Sequence, residues 1–247
     1  MTRKEYCAEH TNHWTERDLL NAFYAAQQKE GKPGLTDYAK FPASIECAPF
    51  LPFFTFLSEK TDIENETGLI ASATLQGFIQ RALLHGDNDT IDISPAQFKP
   101  SDSVLLHTHT NKFFATSRDI ERDALQQPIV GDCLSTLDTT KLLLYQYPFI
   151  TIGVIHGSSV MFLVRSNETP AYDSKNFRYV FRFLASYVSE FSALPLYIVE
   201  ELFGDSPDSP RSHRLNLQST QKFARITHSG LYQISNFRQS TRANRIG

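Results

Sequence analysis

The chain of 247 residues is 41% hydrophobic, with 19 Phe, enough for one medium domain with additions or two small ones. A net charge of −3 points the chain as a whole toward neither nucleic acid nor membrane, and three widely spaced cysteines, Cys7, Cys47 and Cys133, exclude a disulfide framework or a Cys-x-x-Cys metal clip. The N-terminus lacks a hydrophobic signal core and no apolar run approaches the roughly 20 residues that span a bilayer, so a cytoplasmic location is expected, with signal-less export left open.

Residues 1–60 read as a helical or irregular N-terminal extension. Thr15-Glu16-Arg17-Asp18 predicts a helix start, Leu19, Leu20, Phe23 and Tyr24 give its apolar face, and Gly31-Lys32-Pro33-Gly34 ends it. His10 and His13 precede this helix without an obvious third ligand and read as surface histidines. The aromatic stretch Phe50 to Leu57 is interrupted by Pro52, so it is expected to pack on the next unit rather than form a free strand, with an exposed binding patch as the alternative. Gly68 to Ala73 and Gly77 to Leu84 read as strands, and Thr90 to Ile93 as a short third. They form an antiparallel meander feeding a buried strand at Val104-Leu105-Leu106.

That strand delivers His107 and His109 at i and i+2, on one face of an extended chain. Two adjacent imidazoles at a strand end can hold a divalent metal, and a catalytic zinc site needs three protein ligands with a fourth position open. Asp119, at the start of a predicted helix over 117–127, is the nearest well-placed third ligand, and Asp123 is the fallback one turn later. Phe113 and Phe114, in the loop between, either line a groove or simply pack.

Phe149 to Ile155 reads as a buried strand, His156 as part of a turn, and Val160 to Val164 as the hairpin partner. Residues 173–203 have helical spacing, with Tyr179, Phe183, Tyr187 and Phe191 on one face. Gly204 to Pro210 has linker composition. From Arg211 onward come Arg211, Arg214, Lys222, Arg225, Arg238, Arg242 and Arg245 without an acidic residue, which predicts a basic tail. Its Phe223, Leu231, Tyr232 and Phe237 leave open that it docks on the body or wraps a partner.

His107-Thr108-His109 followed by Thr116-Ser117-Arg118-Asp119 resembles the His-x-His…Ser-x-x-Asp signature of the JAMM (JAB1/MPN/Mov34) zinc metallopeptidases. Glu66-Thr67-Gly68-Leu69-Ile70 is similar to that family's upstream Glu-x-x-Gly-hydrophobic opening, and Glu64 also lies in range. The resemblance covers roughly residues 63–165. The proline usual after the second histidine is Thr110 here. The hydroxyl is Thr116 by its spacing to Asp119, or Ser117 by its distance from His109.

The resemblance implies an α+β fold of MPN/JAB type, a mostly antiparallel sheet flanked by helices. The core would span 61–168, a C-terminal helix 169–204, and a linker and basic tail 205–247. It implies Zn²⁺ on His107, His109 and Asp119, Glu66 as general base, and Thr116 or Ser117 as oxyanion donor. The reaction would be hydrolysis of a peptide or isopeptide bond, with a protein or peptide substrate that includes ubiquitin-like conjugates. The alternative is a catalytically inactive MPN-like scaffold. Leu106-His107-Thr108-His109-Thr110 also resembles the opening motif of PHP-type phosphoesterases, but the further histidines of that family have no paired counterparts here. No nucleic-acid motif accompanies the basic segment.

Overall fold

In the computed structural model, which describes residues 13–60, 65–86, 91, 98–109, 134, 136–173 and 217–247, short helices alternate with strands that all join one sheet. In chain order these are β1 (His13–Trp14), α1 (Glu16–Gln27), β2 (Ser44–Glu46), α2 (Leu51–Glu59), β3 (Thr67–Thr74), β4 (Gly77–His85), β5 (Val104–Thr108) and α3 (Thr136–Leu143). Then follow β6 (Thr151–His156), β7 (Ser159–Arg165), α4 (Leu217–Ile226), β8 (Ser229–Ile234) and β9 (Arg242–Arg245). The strand order is β1-β2-β9-β8-β7-β6-β5-β3-β4. β1–β2 and β5–β6 pair in parallel, and the other neighbours are antiparallel, giving a mostly antiparallel α+β fold. No helix among the described residues is long and apolar enough to cross a membrane.

The helix expected at Thr15 starts there. Thr15 Oγ1 accepts from Asp18 N at 3.3 Å and Thr15 N donates to Asp18 Oδ2 at 2.9 Å, a reciprocal cap that satisfies two otherwise free N–H groups. Thr15→Ala is expected to cost about 1 kcal/mol, read as a lower urea midpoint at unchanged slope.

The proline-broken aromatic stretch forms α2, with Pro52 in the first turn, where a missing N–H does no harm. Its buried Phe53, Phe54 and Leu57 pack with the rest of the core, as expected of that stretch. Phe50, just before it, stacks on Phe78 of β4 at 4.0 Å between ring centres.

Both faces of the central sheet are covered, so its strands are apolar on successive residues rather than alternating. Leu69, Ala71, Val104, Leu106 and Phe162 face the core made with α1 and α2. Ile70, Leu105, Ile152, Val154 and Met161 face the opposite core, which contains Leu142 and Leu143 of α3 and Phe223 of α4.

The separation into extension, core and tail does not hold at the sheet. β1 and β2, from the expected extension, are hydrogen-bonded through β2 to β9, from the expected tail. β8 lies between β7 and β9, and six of its residues pair with β7. The basic charge is compatible with this because it alternates with burial: Arg225, Arg238 and Arg242 are exposed, while Phe223, Leu231, Tyr232, Phe237 and Ala243 are buried. The predicted helix over 117–127, that over 173–203 apart from Asp173, which is not helical, the linker at 204–210, and the short strand at 90–93 apart from Ile91 lie outside the described residues.

Candidate metal centre

Period-two alternation along β5 sends Val104 and Leu106 to one face and Leu105 to the other, and His107 continues the phase of Leu105 toward α3. His109, one residue past the strand, brings its imidazole to the same point. His107 Nε2 and His109 Nε2 are 3.2 Å apart. Asp138, in the first turn of α3, places Oδ1 3.3 Å from His107 Nε2 and Oδ2 3.6 Å from His109 Nε2. All three residues are buried, and together they could hold a metal ion.

The spacing fits a cation. With metal–nitrogen bonds of about 2.0–2.1 Å and tetrahedral angles, neighbouring ligand atoms lie about 3.3 Å apart. Without a cation, each Nε2 can instead carry a proton toward the Asp138 oxygen beside it. The far nitrogen of His107, Nδ1, is buried and has no hydrogen-bond partner among the described residues.

The electrostatics favour positive charge at this point. For His107, burial is the largest influence and opposes the charged imidazolium, but the charge and hydrogen bond of Asp138, with the field of Glu66, outweigh it and raise the pKa. Burial likewise opposes the Asp138 carboxylate, yet the two histidines and Lys141 hold its pKa well below the usual range. The histidines and Lys141 supply the positive charge that this buried carboxylate needs, and a divalent metal would supply it as an imidazolium does.

Glu66 is 6% exposed just before β3 and acts electrostatically on His107. Gly68 lies opposite His107 in the β3–β5 register, where a Cβ would meet His107 Cβ at an ordinary 3.5 Å and the flexible Ile91 Cδ1 at 2.5 Å. Thr108, between the two histidines, accepts from Thr67 N at 3.0 Å and donates to Thr67 O at 3.4 Å. Thr108→Val keeps the shape, breaks both bonds and leaves a buried N–H unpaired. An expected loss of about 1–3 kcal/mol would be measured by urea unfolding.

Of the residues expected from the sequence, His107 and His109 are brought together here, and Glu66 lies near enough to act electrostatically on His107. Asp119, Thr116, Ser117, Asp123 and Glu64 lie outside the described residues. Among the described residues, the carboxylate that meets the histidines is Asp138, absent from the expected set. Its signal was present, since Ser135-Thr136-Leu137-Asp138 is a second Ser-x-x-Asp, farther along the chain than Thr116-x-x-Asp119. His13, read as a surface histidine, is half-buried, and its Nδ1 lies 2.9 Å from Ser44 Oγ. Cys47 is a buried free thiol.

Comparison of the chain with family models, with curated proteins and with solved structures gives no match.

Proposed function

We propose that the protein is a zinc-dependent peptidase or isopeptidase of JAMM type, with His107, His109 and Asp138 holding the metal and Glu66 as general base. The observation that carries this reading is the convergence of three residues, the two Nε2 atoms 3.2 Å apart and 3.3 and 3.6 Å from Asp138 Oδ1 and Oδ2, with Glu66 close enough to influence His107. Zinc bound there would bring the pKa of a bound water toward neutrality and polarise a substrate carbonyl.

The chain's own residues supply the rest. Glu66 takes a proton from the attacking water and returns it to the amine nitrogen as the carbon–nitrogen bond breaks, leaving a carboxylate and a free amine. Ser135 has the three-residue spacing before Asp138 that Thr116 has before Asp119, so it joins Thr116 and Ser117 as a donor to the developing oxyanion. The substrate class, a peptide or a lysine-linked isopeptide with ubiquitin-like conjugates included, rests on the motif resemblance.

A second reading is favoured by the burial of all three ligands: a structural metal centre in a non-catalytic interaction protein. Glu66→Gln separates the two. After reconstitution with Zn²⁺, wild type and Glu66→Gln are both expected to hold one zinc by elemental analysis. Hydrolysis of a fluorogenic peptide and isopeptide panel should fall about 10²–10⁴-fold in the variant. Equal hydrolysis by both proteins would remove Glu66 from the mechanism. Metal binding without hydrolysis in the wild type would favour the structural centre, and a wild type that takes up no zinc would end both readings.

A further inference from the structure

Two basic side chains, Arg165 buried and Lys32 half-buried, take no part in this centre, yet both end on the helix that carries Asp138. Lys32 Nζ donates to the carbonyls of Lys141 at 3.2 Å and Tyr147 at 2.8 Å, and to that of Leu144. Arg165, 1% exposed, donates through Nη1 to Leu142 O at 2.7 Å and Pro170 O at 3.1 Å, and through Nη2 to Thr169 O at 2.6 Å and Lys32 O at 3.4 Å. Lys141 and Leu142 belong to the last turn of α3, and Leu144 is the first residue beyond it.

The carbonyls at a helix C-terminus have no intrahelical partner, and the helix dipole is negative there. A lysine is suited to the spot, because its three N–H donors match three carbonyls. The arrangement is still demanding. Burial, and secondarily the charge of Arg165, pull the Lys32 pKa down. The carbonyls pull the other way, since a neutral amine would turn its lone pair toward one of them. Water or a neutral side chain would cap a short helix without confining two like charges together.

The opposite end of α3 gives this cap a purpose. Asp138 is in the first turn, and a helix of eight residues is about 12 Å long, two turns that move as one body. A shift imposed at the carbonyl end therefore reappears at the carboxylate. Metal–ligand distances tolerate about 0.2 Å.

We propose that Lys32 is a positioning residue of the metal centre: with Arg165 it grips the C-terminal end of α3 and so sets the axial position at which Asp138 meets His107 and His109. The proposal deepens the metal-centre reading and rests on it. Partners that orient metal ligands without touching the metal typically change affinity by about 10–100-fold.

The test compares wild type, Lys32→Met and Lys32→Arg. Zn²⁺ affinity is measured by chelator competition, the visible spectrum is recorded with Co²⁺ bound, and Tm is measured with and without metal. Lys32→Met is expected to lose about 10–100-fold in Zn²⁺ affinity, to show a smaller metal-induced rise in Tm, and to lose tetrahedral Co²⁺ absorption. Lys32→Arg, which restores charge and donors, should recover part of each. A cap that only stabilises the fold would lower Tm equally with and without metal and leave affinity and spectrum as in the wild type, and that result overturns the proposal. If Lys32→Met does not fold, Lys32→Gln, which keeps N–H donors without the charge, is judged by the same comparison. A wild type that binds neither Zn²⁺ nor Co²⁺ overturns the metal reading itself, and the positioning role with it.

Discussion

Asp138→Ala is expected to abolish stoichiometric metal binding, with Zn²⁺ affinity falling by more than about 100-fold, beyond the range typical of residues that merely orient ligands. Two imidazoles remain in that variant, but they lose the anion that makes the point between them favourable to a cation. Both Nε2 atoms contact the same carboxylate, one through each oxygen. The charge is also buried, so solvent does little to screen it. Asp138→Asn should fall between wild type and alanine, since it keeps an oxygen ligand and loses the charge. Asp119→Ala, measured beside it, is expected to stay within about 10-fold of wild type by the same yardstick. Chelator competition and elemental analysis read all three. Should Asp119→Ala lose the metal while Asp138→Ala retains it, the ligand assignment moves to Asp119 and Asp138 becomes a charge partner of His107.

What could be read in advance at this site follows the range of the signal. His107 and His109 are neighbours in sequence, and strand periodicity alone puts them on one face. Glu66 and Gly68 needed a second strand, but the antiparallel register that sets Gly68 opposite His107 joins two elements already expected as strands. Asp138 needed more. It reaches the histidines only because α3 packs Leu142 and Leu143 onto the face that carries Leu105. No local pattern encodes that packing. The nearer Asp119 fitted the motif spacing and lies outside the described residues.

The fold shows the same division between local and distant information. The helix cap at Thr15 and the strands at β3, β4 and β7 depend on neighbouring residues and lie within a residue or two of where they were expected. The placement of α2 was harder to foresee, because prolines and aromatics suggested irregular packing and Pro52 is tolerated only through its position in the first turn. Lys32 and Arg165 gave no signal at all. A lysine in a Gly-Lys-Pro-Gly turn reads as exposed, and its partial burial appears only when the carbonyls of Lys141, Leu144 and Tyr147 surround it.

Removal of residues 217–247 is expected to unfold the protein rather than trim it. Composition favoured a basic tail, for which truncation would leave the rest intact. The sheet order predicts the reverse, because β8 is an interior strand whose loss exposes the edge of β7 and takes away β9, the partner of β2. The deletion also removes buried Phe223, Leu231, Tyr232, Ile234 and Phe237. At about 1.5–3 kcal/mol for each large apolar side chain, their burial is worth about 10 kcal/mol, the size of a whole domain's stability of about 5–15 kcal/mol. The truncated chain should express insolubly or give a circular dichroism spectrum without a cooperative thermal transition. Leu231→Ala is the graded counterpart: Leu231 is fully buried in β8 opposite Leu163, and its truncation should cost about 2–5 kcal/mol by urea unfolding. A soluble truncated protein that melts cooperatively near the wild-type Tm would show that β8 and β9 are dispensable additions. Both measurements bear on the metal centre too, because β6, which pairs with the histidine-bearing β5, is held on its other side by β7, the strand that β8 covers.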